Sequence, residues 1–136
     1  MKKITVKTSV NAPVEKVWGF FTQPEHITKW NQASEDWHCP KSESDLKIGG
    51  KFNHTMAAKD GSFSFDFEGI YTDVIPNEKL AYKMPDNRKV EVNFSAAENE
   101  TQIVETFDAE EENSLEMQEQ GWKAILENFK QYTEKN

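Results

Sequence analysis

The chain has 136 residues, with 16 Lys and Arg against 24 Asp and Glu, and its formal net charge is −8. This length predicts a single domain over residues 1–136, and the acidic balance argues against nucleic-acid binding, which needs a basic face. The sequence has no apolar run of about 18 residues to span a membrane, and it has no signal-peptide pattern. Cys39 is the single cysteine, so no internal disulfide can form, and the sequence predicts a protein of the reducing cytoplasm.

The first third of the sequence predicts a strand and two short helices. Residues 3–10 alternate between apolar and polar side chains, which is typical of a strand. Pro13 and Pro24 each stand where a helix begins, because the first helical position needs no N–H donor. Residues 34–45 are polar and irregular, and we predict a loop there.

The middle of the chain predicts a meander of antiparallel strands. Gly49-Gly50 and Asp60-Gly61 are turn sequences, and the second is typical of a hairpin. Alternating apolar residues predict strands at 51–57, 63–71, 80–84, 90–94 and 101–107. Because the connections have hairpin length, the sheet should be antiparallel and strongly twisted.

The C-terminal segment predicts one long helix. Asn113 and Glu116 have the spacing of a capping box, and Gly121 lies inside the predicted helix, where glycine is less favourable than alanine. Apolar residues recur with a period near 3.6 at Leu115, Trp122, Ile125, Leu126, Phe129 and Tyr132. The whole pattern predicts an α+β fold, in which a curved antiparallel sheet wraps around the long helix and leaves a cavity between them.

Several short motifs resemble a known family. They are Ala12-Pro13-x-x-x-Val17-Trp18, Pro24-Glu25-x-Ile27-x-Lys29-Trp30, Gly49-Gly50-Lys51-Phe52, Asp60-Gly61, Gly69-x-Tyr71, Ile75-Pro76-x-x-Lys79-Leu80, Thr101 and Gly121-Trp122. Their order resembles the activator of the ninety-kilodalton heat-shock chaperone's ATPase, in its small bacterial form similar to the C-terminal domain of the eukaryotic activator. The resemblance implies the helix-grip fold of the START-like, birch-pollen-allergen-like superfamily, which includes polyketide cyclases. The family has a second aromatic after Trp30 where this chain has Asn31, which predicts a more polar cavity mouth.

The resemblance implies that the cavity binds a small apolar or aromatic molecule. The residues expected to line it are Trp30, Trp37, His38, Phe52, His54, Met56, Phe65, Phe67, Tyr71, Tyr82, Glu105, Trp122 and Ile125. Two of these are polar groups on otherwise apolar strand faces. His54 is either satisfied by a neighbouring hydroxyl or carboxylate, or orients a ligand. Glu105 either points inward with a raised pKa or meets water through a twist of its strand.

Two alternative functions stay open. The first is a cyclase or hydratase, as in relatives that act on polyketide-like substrates, with His54 and Glu105 as candidate acid and base. The second is a chaperone co-factor, for which the acidic segment Glu98–Glu119 is the candidate partner surface. The histidines and Cys39 lack metal-ligand spacing, and no nucleotide or cofactor motif occurs, so neither a metal nor a cofactor is expected.

Overall fold

The computed structural model describes residues 2–136, which form a seven-stranded antiparallel sheet and three helices. The elements are β1 (Lys3–Val10), α1 (Val14–Thr22), α2 (Pro24–Trp30), β2 (Trp37–Ser44), β3 (Lys51–Ala58), β4 (Ser64–Ile75), β5 (Lys79–Lys83), β6 (Lys89–Ala97), β7 (Glu100–Asp108) and α3 (Leu115–Lys135). None of the helices in this part of the chain has the length and apolar character of a membrane span.

The sheet has the strand order β1-β7-β6-β5-β4-β3-β2. Strands β2 to β7 follow one another through the sheet, and β1 joins the far edge by pairing with β7. The sheet curls into a half-barrel around α3, as the predicted helix-grip architecture requires. Each strand therefore presents alternate side chains to one concave face.

The two prolines set the starts of the short helices. Pro13 is the extended N-cap of α1, and Pro24 is the first residue of α2. Gln23 ends the first helix and caps the second, so the two helices are joined without a loop. This confirms the predicted pair of short helices after the first strand.

The predicted loop at residues 34–45 is wrong, because most of it forms the edge strand β2. Its pairing with β3 shifts register between His38 and Lys41, on either side of Pro40. A proline is tolerated at such an irregularity on an edge strand, since its missing N–H breaks no continuous ladder. The strand could not be predicted from its polar composition, because it is stabilised by pairing with β3 and not by an alternating apolar pattern of its own.

The start of α3 also differs from the prediction. Ser114, and not Asn113, is the N-cap, and its Oγ accepts the Met117 N–H at 3.1 Å. The Asn113 N–H instead donates to Glu110 Oε1 at 2.7 Å. Leu115 is exposed and lies outside the packed stripe.

Towards its C-terminus, α3 packs against the short helices with fully buried side chains. Phe129 is fully buried, and its ring packs edge-on against Phe21 at 5.1 Å and Trp30 at 4.9 Å. Leu126 is buried one turn earlier on the helix. The space between the N-terminal half of α3 and strands β3 to β5 is less completely filled, and this difference positions the site.

Candidate functional site

A cavity of about 390 Å³ lies between α3 and the concave face of the sheet. Its lining comprises Phe21, Ile27, Trp30, Asn31, Phe52, His54, Met56, Phe65, Phe67, Tyr71, Leu80, Tyr82, Met84, Arg88, Glu105, Glu110, Asn113, Met117, Gln118, Gly121, Trp122 and Ile125. Most of these side chains are apolar or aromatic, and a few polar groups stand among them.

The structure brings together all the residues predicted for the cavity except Trp37 and His38. Both lie on β2, the edge strand beyond β3. Trp37 packs against Phe63 and Phe65, each at 6.0 Å between ring centroids, and His38 pairs with Ala57. Neither residue lines this cavity, because the segment predicted as a loop is a strand that pairs with the edge of β3.

Several lining residues were missed by the sequence reasoning. Leu80 and Met84 share strand parity with Tyr82, so their alternation could have revealed them. Arg88 and Glu110 lie outside any periodic segment, and only the tertiary structure brings them to the cavity. Asn31 does line the cavity, at the position that the motif comparison had predicted to be polar.

Phe52 organises the wall formed by β3, β4 and β5. Its ring stacks with the His54 ring at 5.0 Å and meets the Tyr82 ring edge-on at 4.8 Å. Gly69 pairs with Phe52 across the strands, and a Cβ there would stand 2.9 Å from the Phe52 ring. The glycine thus makes room for this aromatic ring against the sheet.

Trp122 connects α3 to both sides of the cavity. Its indole stacks on Phe107 with 3.9 Å between ring centroids and an interplanar angle of 12°. It also meets Phe67 at 6.1 Å in an edge-on arrangement. The helix is therefore held at a fixed distance from β4 while the space beside Gly121 stays open, since a Cβ there would meet nothing within 4 Å.

Glu105 is a carboxyl group on the inner face of β7. Its cross-strand neighbours are Val6 and Val92, and only 7% of the residue is exposed. Desolvation by burial raises its pKa to about 8, and among residues 2–136 no hydrogen-bond partner of its carboxyl is found. Of the two alternatives for Glu105, the structure shows the inward orientation, whereas Asp66 is exposed and accepts a hydrogen bond from Thr55.

His54 lies on the same concave face but far along the sheet from Glu105. Its Nδ1 shares a hydrogen bond of 2.8 Å with the Ser42 hydroxyl, and burial lowers its pKa to about 4. The alternative that a hydroxyl satisfies this histidine is therefore confirmed, and the ring is neutral at pH 7. Strands β4, β5 and β6 lie between β3 and β7, so the two residues stand on strands that are not neighbours.

Two tyrosines lie on the wall between these residues. The hydroxyls of Tyr71 and Ser44 share a hydrogen bond of 2.7 Å. The pKa of Tyr82 is raised well above its usual value, first by burial and then by the nearby Glu105 and Tyr71. Tyr82 therefore keeps its proton, and its hydroxyl can donate to a bound molecule.

Gln118 fixes the rim of the cavity beside α3. Its side-chain amide accepts the Glu110 N–H at 2.9 Å and donates to the Asn113 carbonyl at 2.9 Å. Across the opening, the Arg88 guanidinium donates to Asp86 at 2.6 Å.

The residues described, 2–136, place no group of three or more His, Cys, Asp or Glu side chains to hold a metal. The lone thiol, Cys39, is buried, and burial raises its pKa. A thiol with a raised pKa is a poor nucleophile at neutral pH. The chemistry that the cavity offers therefore rests on its aromatic rings and on a few oxygen and nitrogen groups.

These features define a helix-grip protein with an aromatic-lined cavity between sheet and helix. The chain belongs to the family described as Activator of Hsp90 ATPase homolog 1-like protein, whose sequence model matches residues 11–134. No protein of curated function matches the chain significantly.

Solved structures of relatives have the same fold. The chain is 43% identical to the AHSA1-like protein from Aeromonas hydrophila, with a TM-score of 0.93 over 98% of this chain and 93% of that one. It is 53% identical to a protein from Cytophaga hutchinsonii, with a TM-score of 0.84 and the same coverages. A protein from Nitrosomonas europaea, at 18% identity and a TM-score of 0.83 over 98% and 94% of the two chains, shares the fold alone.

Proposed function

We propose that residues 1–136 act as a single domain that binds a small apolar or aromatic molecule between the sheet and α3. The observation that carries this proposal is the cavity of about 390 Å³, whose walls are aromatic with a few placed polar groups. Cavities of this size and character are typical of small-molecule sites. The family's common association with hydrophobic ligands supports the same function.

The open space beside Gly121 provides a direct test. We expect Gly121→Leu to fill the cavity without a backbone clash, because a Cβ at this position meets nothing within 4 Å. Titration with Nile red, a neutral apolar fluorophore, should show binding to the unmodified protein and an affinity about tenfold lower for the variant. The readout is dye emission together with quenching of tryptophan fluorescence, to which Trp122 contributes.

The matched control is Gln120→Leu, which adds the same side chain to an exposed position on the same helix. This variant should bind the dye as the unmodified protein does. Equal affinities for all three proteins would place the dye elsewhere and contradict the proposal. A failure of the unmodified protein to bind any member of a broad neutral apolar library would contradict it as well.

A second candidate is an enzyme acting on polyketide-like substrates. The observation in its favour is that Glu105 holds its proton near neutral pH inside the cavity, which suits a general acid. His54 argues less for this role, because its Nδ1 already shares a hydrogen bond with the Ser42 hydroxyl and three strands lie between β3 and β7. In this alternative, Glu105→Gln would abolish turnover of such a substrate while its binding remains.

The chaperone co-factor alternative has less support, because the acidic segment Glu98–Glu119 does not form one surface. Glu105 points into the cavity, and Asp108 is buried and pairs with Lys3 at 2.7 Å. Glu98 and Glu111 lie beyond opposite ends of β7. Retention of the heat-shock chaperone on immobilised protein would support this alternative.

A cytoplasmic location is proposed with the binding function, on the basis of the single buried cysteine.

A further inference from the structure

Glu105 is the polar group in the cavity that most requires an explanation. A buried carboxyl group is normally paired with a cation or with hydrogen-bond donors, since burial removes its hydration. Here Val6 and Val92 flank it on the neighbouring strands, and no hydrogen-bond partner is found among residues 2–136. The carboxyl therefore faces the cavity with its oxygens free to bind a molecule that enters.

The ionisable groups around the cavity favour a positively charged ligand over an anionic one. Glu105 and Glu110 are the acidic groups of the lining, and Arg88 is already engaged by Asp86 at 2.6 Å. His54 on β3 is neutral, because burial lowers its pKa to about 4. An anionic ligand would thus meet carboxyl groups and no uncompensated cation in the lining.

The aromatic walls add a second attraction for a cation. The rings of Phe52, Phe67 and Tyr82 line the cavity within 6.1 Å of one another, and Trp122 closes it from the helix. The faces of aromatic rings attract ammonium groups, and this attraction is strongest where water is excluded. Neutral aromatic ligands also bind favourably against these rings. The Glu105 carboxyl is therefore the feature that would distinguish an amine from a neutral ligand.

Resting on the proposed binding function, we infer that the ligand class is an apolar or aromatic amine, whose ammonium group binds the Glu105 carboxylate and whose body lies against the aromatic rings. The Tyr82 hydroxyl, which is near Glu105, stays protonated and is not a competing anion. Tyr71 on β4 also keeps its proton, because burial raises its pKa. The neighbouring positions on β1 and β6 are valines, and the other acidic group of the lining, Glu110, already accepts the Asn113 N–H. Glu105 is therefore the carboxyl assigned to the amine.

Proton release is a measurable consequence of this assignment. In the free protein at pH 7 the carboxyl holds a proton, since its pKa is raised to about 8. Binding of an ammonium ion requires the carboxylate, so the O–H bond of Glu105 breaks and the proton passes to the buffer. About one proton should be released for each amine bound.

The test compares two ligands of the same shape, naphthylmethylamine and naphthylmethanol, by isothermal titration calorimetry at pH 7. We expect the amine to bind the unmodified protein about tenfold more tightly than the alcohol. Titrations in phosphate and in Tris, whose ionisation enthalpies differ, should report the released proton. The alcohol should release none.

The variant Glu105→Gln keeps the shape of the side chain and removes its charge. It should eliminate the preference for the amine and the proton release, while binding of the alcohol changes less than about twofold and reports a folded cavity. Glu100→Gln is the matched control, because Glu100 lies on the same strand and is exposed. It should retain the preference for the amine.

Each contrary result has a distinct meaning. Equal binding of amine and alcohol to the unmodified protein overturns the amine assignment and leaves the cavity-binding function intact. Binding of neither ligand overturns both. An amine preference that persists in Glu105→Gln overturns the role of this carboxyl. Should that variant fail to fold, absence of proton release in the unmodified protein overturns the same role.

Discussion

The two halves of α3 face the same sheet but make different structures with it. The C-terminal half carries Leu126 and Phe129, which are buried against the short helices and the β1 side of the sheet. The N-terminal half carries Met117, Gly121 and Trp122, which line an open cavity. One element thus closes the core at one end and leaves a cavity at the other.

This difference depends on the size and spacing of the side chains. Phe129 packs edge-on against Phe21 and Trp30 and does not line the cavity. Trp122 instead stacks flat on Phe107, and Gly121 beside it contributes no side chain. The packed half provides stability, and the open half can therefore hold a cavity and a buried carboxyl at a cost in stability.

The largest effect is expected in the packed half. Phe129→Ala should lower the free energy of unfolding by about 3–5 kcal/mol, because it removes a fully buried ring and leaves a void. Met117→Ala in the open half should change it by less than about 0.5 kcal/mol, since Met117 is exposed at the rim. Chemical denaturation measures both, and similar losses would contradict the division of the helix.

A smaller effect is expected at Gly69, where the cavity wall is closely packed. In Gly69→Ala the new Cβ would stand 2.8 Å from the Lys83 carbonyl oxygen and 2.9 Å from the Phe52 ring. We expect a loss of about 1–3 kcal/mol and a displacement of Phe52 into the cavity. A melting curve identical to that of the unmodified protein would contradict this expectation and show that the cavity wall accommodates the added methyl group.

The pH dependence of stability distinguishes Glu105 from His54. The pKa of Glu105 is raised to about 8, so the folded state holds its proton more tightly and stability falls as pH rises from about 4.5 to 8. The pKa of His54 is lowered to about 4, so its contribution makes stability rise between pH 4 and 6.5. Above pH 6.5 the Glu105 effect acts alone.

Between pH 6.5 and 8 the free energy of unfolding should therefore decrease by about 1–2 kcal/mol. In Glu105→Gln this decrease should disappear, and Glu100→Gln serves as the control. Urea titrations at several pH values give the measurement. If the free energy of unfolding of Glu105→Gln still decreased over this pH range, another titrating group would be responsible.

The smallest effect concerns Gly121 and has the opposite sign. Gly121→Ala should raise the free energy of unfolding by up to about 1 kcal/mol, since alanine favours the helix and its methyl group meets nothing within 4 Å. Affinity for an apolar ligand should decrease slightly, because the methyl group occupies cavity space. A clear loss of stability in thermal denaturation would mean that the open half is packed as tightly as the rest.

The sequence by itself determined the order of the elements other than β2 and the faces of most strands. Alternation placed Phe52, His54 and Met56 on one face, because each strand reverses its side chains at every residue, but it left the orientation of Glu105 open. The helical period likewise placed Trp122 and Phe129 on the apolar face of α3. The family motifs added the helix-grip topology, which pairs β1 with β7.

Only the tertiary structure decided which segments pair and what the loops contribute. Residues 37–44 have little strand character alone, and they form β2 because β3 offers an unpaired edge. That pairing removed Trp37 and His38 from the cavity, while Arg88 and Glu110 joined it from loops that have no periodicity. That Glu105 finds no hydrogen-bond partner within residues 2–136 likewise depends on contacts among distant strands, which local sequence patterns do not encode.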